Sequence, residues 1–237
     1  MSKNVIVYTL WGDKDMYWKG AVENIKLSKI YYPGWINRFY IDEECDISLI
    51  EMIKGDNVEI ILMKPDNGRV SNIDRFNHSG LFWRFLSLES NDVDVLISRD
   101  CDSRISKREV CAVNEWLGSN KDFHIMRDHP YHAVPILSGM WGCKNKALLN
   151  IKELLDIWNL FPNKGLYNAE DQDFLGQLIY PIIKDKALEH CDFNLNFGGR
   201  LIPFPTKREN CEFVGDVFDE ANIRHPEHWQ ILKKYYR

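Results

Sequence analysis

The sequence predicts an α/β protein of the Rossmann-like kind, with a mainly parallel central sheet and helices on both faces. Three observations carry this. Short runs rich in β-branched and aromatic residues alternate with segments of helical period through the first half of the chain. Their order, β-α-β-α-β-(α)-β, becomes a mainly parallel sheet covered on both faces. An acidic cluster follows directly on the fourth run, at the strand end where such sheets bind ligands.

The elements follow in order. Val5–Leu10 (VIVYTL) reads as a buried strand. Asp15–Ile30 has helical period, with Trp18, Val22, Ile25 and Ile30 near one face, and Pro33-Gly34 punctuates it. Asn37–Ile41 is a second strand, Asp46–Lys54 a short helix capped by Asp46, and Val58–Met63 a third strand. Lys64–Ser79 is a long polar loop, of the length that compact domains reserve for function. Leu81–Glu89 reads as helix, Val93–Ser98 as the fourth strand, Ser106–Leu117 as helix and Phe123–Met126 as the fifth strand. The second half is less regular: a helix over Lys146–Trp158, another over Asp171–Ile179 stopped by Pro181, then Gly- and Pro-rich loops. No repeat and no linker-like stretch interrupts residues 1–237, which predicts a single domain.

With 237 residues, 45% of them hydrophobic and 27% charged, the chain can bury a core without disulfides or a structural metal. The formal charge of −5 disfavours nucleic acid as the main partner, because neutralising phosphates needs a positive surface. It leaves room for a nucleotide, whose diphosphate one divalent cation can offset. The six cysteines form no Cys-x-x-Cys pair, so zinc ribbons and thioredoxin chemistry are not expected. No signal segment or membrane-spanning run is visible, and the expectation is a soluble protein with free thiols in the reducing cytoplasm.

The sharpest chemical feature is Asp100-Cys101-Asp102. Two carboxylates two residues apart, just past an apolar strand, point to one side of the chain. Hard oxygen ligands of this kind suit Mg²⁺ or Mn²⁺ beside a diphosphate. In an ordinary fold the same cluster would be a solvated acidic turn, with Asp102 or Ser103 capping the next helix.

The segment VDVLISRDCDSR resembles the D-x-D segment of GT-A nucleotide-sugar glycosyltransferases, and the resemblance extends from Val5 to roughly Arg208. It implies the GT-A fold, with residues 1–128 as the nucleotide-binding half and residues 129–237 as the acceptor-binding half. It further implies transfer of a sugar from a UDP- or GDP-type donor to a glycan or other hydroxyl acceptor. The metal, Mn²⁺ or Mg²⁺, would be held by Asp100 and Asp102, with a third ligand from the C-terminal part: His190, or failing that His225. Thr9, Leu10, Trp11 and Asp13 would line the nucleotide pocket, and Arg99, Asp100, Cys101 and Asp102 would face the diphosphate. Arg84, a guanidinium among Leu81, Phe82, Phe85 and Leu88, needs an anionic partner, which the resemblance makes the donor. Ser138, Gly139, Met140 and Trp141 would hold the sugar or acceptor, Trp141 by stacking on sugar C–H faces. Asp171, or secondarily Glu170, resembles the acidic element that serves inverting members as general base; the plain alternative is helix N-terminal capping. Gly198-Gly199-Arg200 and Lys207-Arg208 suggest a flap closing over the diphosphate, or solvated surface.

Two other classes stand beside this reading. A sugar-phosphate nucleotidyltransferase would show a Gly-rich basic loop after the first strand, where this chain reads LWGDKD. A non-catalytic nucleotide- or glycan-binding module would leave the paired carboxylates and the acidic element unexplained.

Overall fold

Lys3–Leu10 forms β1, the strand around which the sheet is laid down in a computed structural model that describes residues 2–64, 80–144, 149–161 and 169–235. The elements that follow are α1 (Asp15–Tyr31), β2 (Ile36–Asp42), α2 (Ile47–Met52) and β3 (Val58–Met63). Then come α3 (Gly80–Trp83), running into a 3₁₀ segment over Arg84–Glu89, β4 (Val93–Ser98), α4 (Lys107–Gly118) and β5 (Phe123–Arg127). The second half adds β6 (Trp141–Cys143), α5 (Ile151–Trp158), α6 (Glu170–Phe174), α7 (Tyr180–Ile183), β7 (Ala187–Cys191), β8 (Leu201–Ile202) and α8 (Pro226–Tyr235).

The eight strands make one sheet in the order β3-β2-β1-β4-β6-β5-β7-β8. Every pairing is parallel except those of β6, which runs antiparallel to both β4 and β5. The α/β architecture with a mainly parallel sheet is therefore as the sequence predicts. Alternate residues of β1 feed two cores. Val5 and Val7 face a cluster with Phe82, Phe85, Leu155 and Phe174; Ile6, Tyr8 and Leu10 face one with Trp18, Ile25, Ile50 and Trp116. Helices α1, α2 and α4 thus cover one face, and the 80–89 segment with α5, α6 and α7 covers the other.

Local chemistry accounts for the helix ends. Asp46 caps α2 by accepting from the Ser48 amide at 2.7 Å, and Ser106 caps α4 by accepting from the Glu109 amide at 3.2 Å. Several expectations are corrected. Ile30 is 70% exposed, because the buried stripe of α1 runs through Trp18, Ala21, Ile25 and Ser28. The helix expected from Lys146 begins at Ile151, where Asn150 accepts from the Glu153 amide; residues 145–148 lie outside the described residues, as does most of the expected 64–79 loop. Pro181 does not stop its helix. A π turn over Leu175–Ile179 precedes it, so the ladder already skips a bond there and the helix continues through Ile183. The stretch read as loops after Pro181 contains β7 and β8, and β6 is a third strand with no sequence warning. These runs are five, two and three residues long, too short to show a period. Among the described residues no helix is long and apolar enough to cross a membrane.

Candidate functional site

The strand order reverses beside β1: β2 and β3 lie to one side and β4 begins the other. A parallel sheet opens a crevice at such a point, outside the carboxyl ends of the two flanking strands. The chain segments leaving β1 and β4 are Trp11–Lys14 and Arg99–Asp102, and they line one cavity of about 520 Å³. Tyr17, Leu81 and Arg84 complete that side, and Ser138, Asp171 and Gln172 close the other. Of the residues singled out from sequence, Thr9, Leu10, Trp11, Asp13, Arg84, Arg99, Asp100, Cys101, Asp102, Ser138 and Asp171 meet here. Lys14, Tyr17, Leu81 and Gln172 join them without having been singled out.

The acidic turn is held from behind. Gly20 on α1 lies so close to the Cys101 carbonyl that a Cβ there would overlap it. Asn24, one helical turn on and fully buried, donates to the Ser103 carbonyl at 2.8 Å and accepts from the Ile105 amide at 3.1 Å. Arg104 Nη1 donates to the Cys101 and Ser103 carbonyls at 3.1 and 2.9 Å. The C-terminal segment adds a further tie, since the Phe218 amide donates to the Asp102 carbonyl at 2.9 Å. The main-chain carbonyls of the turn are thereby occupied, leaving the carboxylates to the cavity.

Arg84 is the hub of the cavity floor. Its side chain is 5% exposed; Nη1 donates to Asp100 Oδ1 at 2.6 Å, and Nη2 lies 3.8 Å from Asp171 Oδ2. The anionic partner that a buried guanidinium demands is thus already within the protein. Gly139 leaves the space for this: a Cβ on it would overlap the Asp100 carboxylate. Asp171 is 2% exposed, takes hydrogen bonds from Ser138 and from the Gln172 amide at 3.0 Å, and leaves Oδ2 without a hydrogen bond. Burial raises its pKa to about 6, against the lowering pull of Arg84. Asp102 is likewise pushed up to about 6, by burial first and by the neighbouring Asp100 second. The Tyr17 hydroxyl is raised by burial and then by Asp102 and Asp100.

Other candidates turn away from the cavity. The Arg99 guanidinium goes to Glu109, with Nε to Oε1 at 2.7 Å, and to the Ser98 carbonyl, so its charge is spent in the core. Leu10 and Cys101 bury their side chains in the α1-side core. Glu170 accepts from the Trp158 indole at 2.9 Å and pins α6 to α5. Trp141 is 1% exposed inside the opposite core, and Met140 is buried against Phe204 and Val214, so neither offers a face to a sugar. His190 is fully buried; it shares a 2.8 Å hydrogen bond with His124 and a 3.2 Å contact with Glu115. Its strand is three places from β4 in the sheet, about 14 Å away, too far to share a metal with Asp102. His225 lies near His228, with ring centroids 4.9 Å apart, outside the cavity lining. The expected flap is also tied down: Gly199 abuts Glu189, and Arg208 pairs with Asp128.

Among the described residues no group of three or more His, Cys, Asp or Glu side chains is placed to hold a metal alone. Asp100 and Asp102 still fit a hard cation that brings ligands of its own. Mg²⁺-type ions are commonly held by one or two carboxylates, with substrate phosphates and water completing the shell.

No protein-family model matches the chain, and no curated protein matches it. Among solved structures it is similar to a glycosyltransferase involved in the glycosylation of the major capsid of PBCV-1, at 14% identity over 79% of this chain and 81% of that one, with a TM-score of 0.46. It is similar to the galactosyltransferase LgtC in complex with donor and acceptor sugar analogs, at 14% identity over 78% of this chain and 73% of that one, with a TM-score of 0.45. It is also similar to 4-diphosphocytidyl-2C-methyl-D-erythritol synthase from Anaerococcus prevotii, at 10% identity over 79% and 87%, with a TM-score of 0.45.

Proposed function

We propose that this chain is a GT-A glycosyltransferase that moves a sugar from a nucleotide-diphosphate-sugar, of UDP or GDP type, to a glycan or other hydroxyl acceptor. The observation that supports it most is the cavity itself. Two carboxylates after β4 face, across the switch point of the sheet, a buried carboxylate with an unbonded oxygen.

In this reading Asp100 and Asp102 hold Mn²⁺ or Mg²⁺ together with the donor diphosphate. The metal supplies Lewis-acid stabilisation of the departing nucleoside diphosphate. The nucleoside lies against Thr9, Trp11, Asp13 and Tyr17. Arg84 keeps Asp100 turned toward the cavity and sets the charge around Asp171. Ser138 orients Asp171, whose free Oδ2 takes the acceptor hydroxyl proton as the hydroxyl attacks the sugar. A pKa near 6 suits that task at neutral pH: the group is ionised yet basic enough to accept a proton. The enzyme works in a reducing compartment as a soluble protein with free cysteines.

The deciding experiment is a thermal-shift screen with UDP-, GDP-, CMP- and dTDP-sugars, each with and without Mn²⁺. A ligand that binds the native state raises the melting temperature by mass action. A shift confined to one nucleotide family and dependent on Mn²⁺ supports the reading and names the donor class. No shift for any donor with metal present overturns it in favour of a binding module or another α/β enzyme.

A further inference from the structure

Outside the cavity, four histidines gather where the chain leaving β5 meets the C-terminal segment. The His129 ring lies 5.7 Å from His132 and 5.8 Å from His228, and His228 lies 4.9 Å from His225, centroid to centroid. Phe213 packs on both His129 and His132, at 4.6 and 5.8 Å. His129 Nδ1 accepts the Tyr131 amide at 3.1 Å, and His132 Nδ1 accepts the Asp128 amide at 3.0 Å. Each ring is therefore neutral with its proton on Nε2, and His129 uses that proton to bond the His228 carbonyl at 3.0 Å. A second proton can enter either ring only at Nδ1, where a main-chain N–H already points. Protonation must break that bond and turn the ring out.

What these rings support is the same segment that braces the acidic turn. Phe213, Gly215 and the start of α8 rest on them, and the intervening chain bonds Asp102 through the Phe218 amide and bridges Ser103 to Val217. Arg104 Nε adds a bond to Asn222 at 2.9 Å. We infer that His129 and His132 form an acid-released latch, which holds residues 209–235 against the body at neutral pH and frees them, with the brace on Asp102, on mild acidification. This rests on packing independent of the proposed reaction.

The charged surroundings agree in direction. His129 faces Arg208, Asp128 and His228; His132 faces His129, His228 and Arg208; His228 faces His225 and Glu227. Burial lowers the pKa of His129, His132 and His228, that of His132 to about 3 from 6.5. A histidine held below its unfolded pKa stabilises the closed state above that pKa and loses the contribution as pH falls through 6.5 and below. Between about pH 7.5 and about pH 5.5, freeing His132 alone favours opening about ten-fold. Asp216, raised to about 6 by burial and paired with Arg224, opposes opening by about four-fold over the same range. These two alone leave opening favoured about two-fold; His129 and His228 add to it, and Glu212, also raised by burial, subtracts from it.

Hydrogen exchange of the intact protein tests this, corrected for intrinsic exchange at the two pH values. Peptides from residues 209–235 of the wild type should lose protection about two-fold at the lower pH, while β1 and β4 do not. In the double variant His129→Asn, His132→Asn the amide oxygen replaces the Nδ1 acceptor but cannot be protonated. His228, Asp216 and Glu212 still respond, the first for opening and the two carboxyls against it, so the acid-driven loss of protection should be smaller than in the wild type. The same acid-driven loss in the variant, or no loss in the wild type, overturns the latch. If the variant does not fold, ¹⁵N NMR of the wild-type imidazoles decides. Both rings should carry their proton on Nε2 at neutral pH and should gain a second over the interval in which the segment loosens. Rings that titrate with no change in the segment overturn the proposal.

Discussion

Arg84 donates a 2.6 Å hydrogen bond to Asp100 while standing 3.8 Å from Asp171, so one buried guanidinium joins the carboxylate after β4 to the carboxylate that opens α6. The two sides of the cavity are electrostatically a single unit, and a change at either is felt at the other. Arg84→Met should raise the pKa of Asp171 further, because the main lowering influence on it disappears. Removing one partner of a fully buried pair costs about 3–5 kcal/mol. Asp100 is 44% exposed, so the cost here should fall at or below the lower end, read as a drop in urea midpoint.

Asp171→Asn keeps the shape and removes the base. Turnover should fall by about 10²–10⁴-fold, the usual contribution of general base catalysis. The folded pKa of about 6 exceeds the ordinary 3.8, so the wild type loses stability as pH rises through that window. The Asn variant is spared this loss and should be no less stable at neutral pH. In the wild type kcat/KM should rise through about pH 6, and a variant that retained that rise would show the base to be elsewhere.

Metal-dependent donor binding should weaken as pH falls through about 6, where Asp102 takes up a proton, because a coordinating carboxylate must be ionised. Asp102→Ala should abolish the Mn²⁺ dependence and leave the circular dichroism spectrum unchanged. Titration calorimetry of Mn²⁺ with the nucleotide diphosphate reads both effects; full activity in the variant would remove Asp102 from the metal site.

Gly139→Ala drives a methyl group into the Asp100 carboxylate. Asp100 should be pushed off Arg84, with donor affinity falling more than stability. Equal losses in affinity and in melting temperature would instead point to a general packing defect.

Asn24→Ala should act at a distance from the cavity. It leaves the Ile105 amide without its buried partner, at about 1–3 kcal/mol, and takes one of two donors from the Ser103 carbonyl, which keeps Arg104. The acidic turn loosens, so the Mn²⁺ requirement should rise along with the destabilisation. Wild-type Mn²⁺ affinity in the variant would show that the turn holds its shape without Asn24.

The first half of the fold was open to pattern reading because its elements are long enough for period and caps to speak. Val58–Met63 and Val93–Ser98 have the predicted bounds, and Asp46 caps the predicted helix. Two residues shaping the acidic turn left no such trace. Gly20 and Asn24 sit inside a helix whose pattern reads the same whatever they touch; only their helical spacing, four residues apart and both small or polar, marked that face as special.

The sequence by itself determined the alternation that makes a parallel sheet, and the place of Asp100 and Asp102 at a strand end, because both depend on residues close in the chain. Tertiary structure alone decided which polar side chains face the cavity. Arg99 ends an apolar strand and Arg84 sits in an apolar helix, yet Glu109 draws one into the core and Asp100 holds the other at the cavity floor. Glu170 and Asp171 are adjacent, and the turn of the helix sends one to Trp158 and the other to Arg84. Partners of this kind come from elements 10 to 87 positions away along the chain, and a buried charge goes where its counter-charge lies.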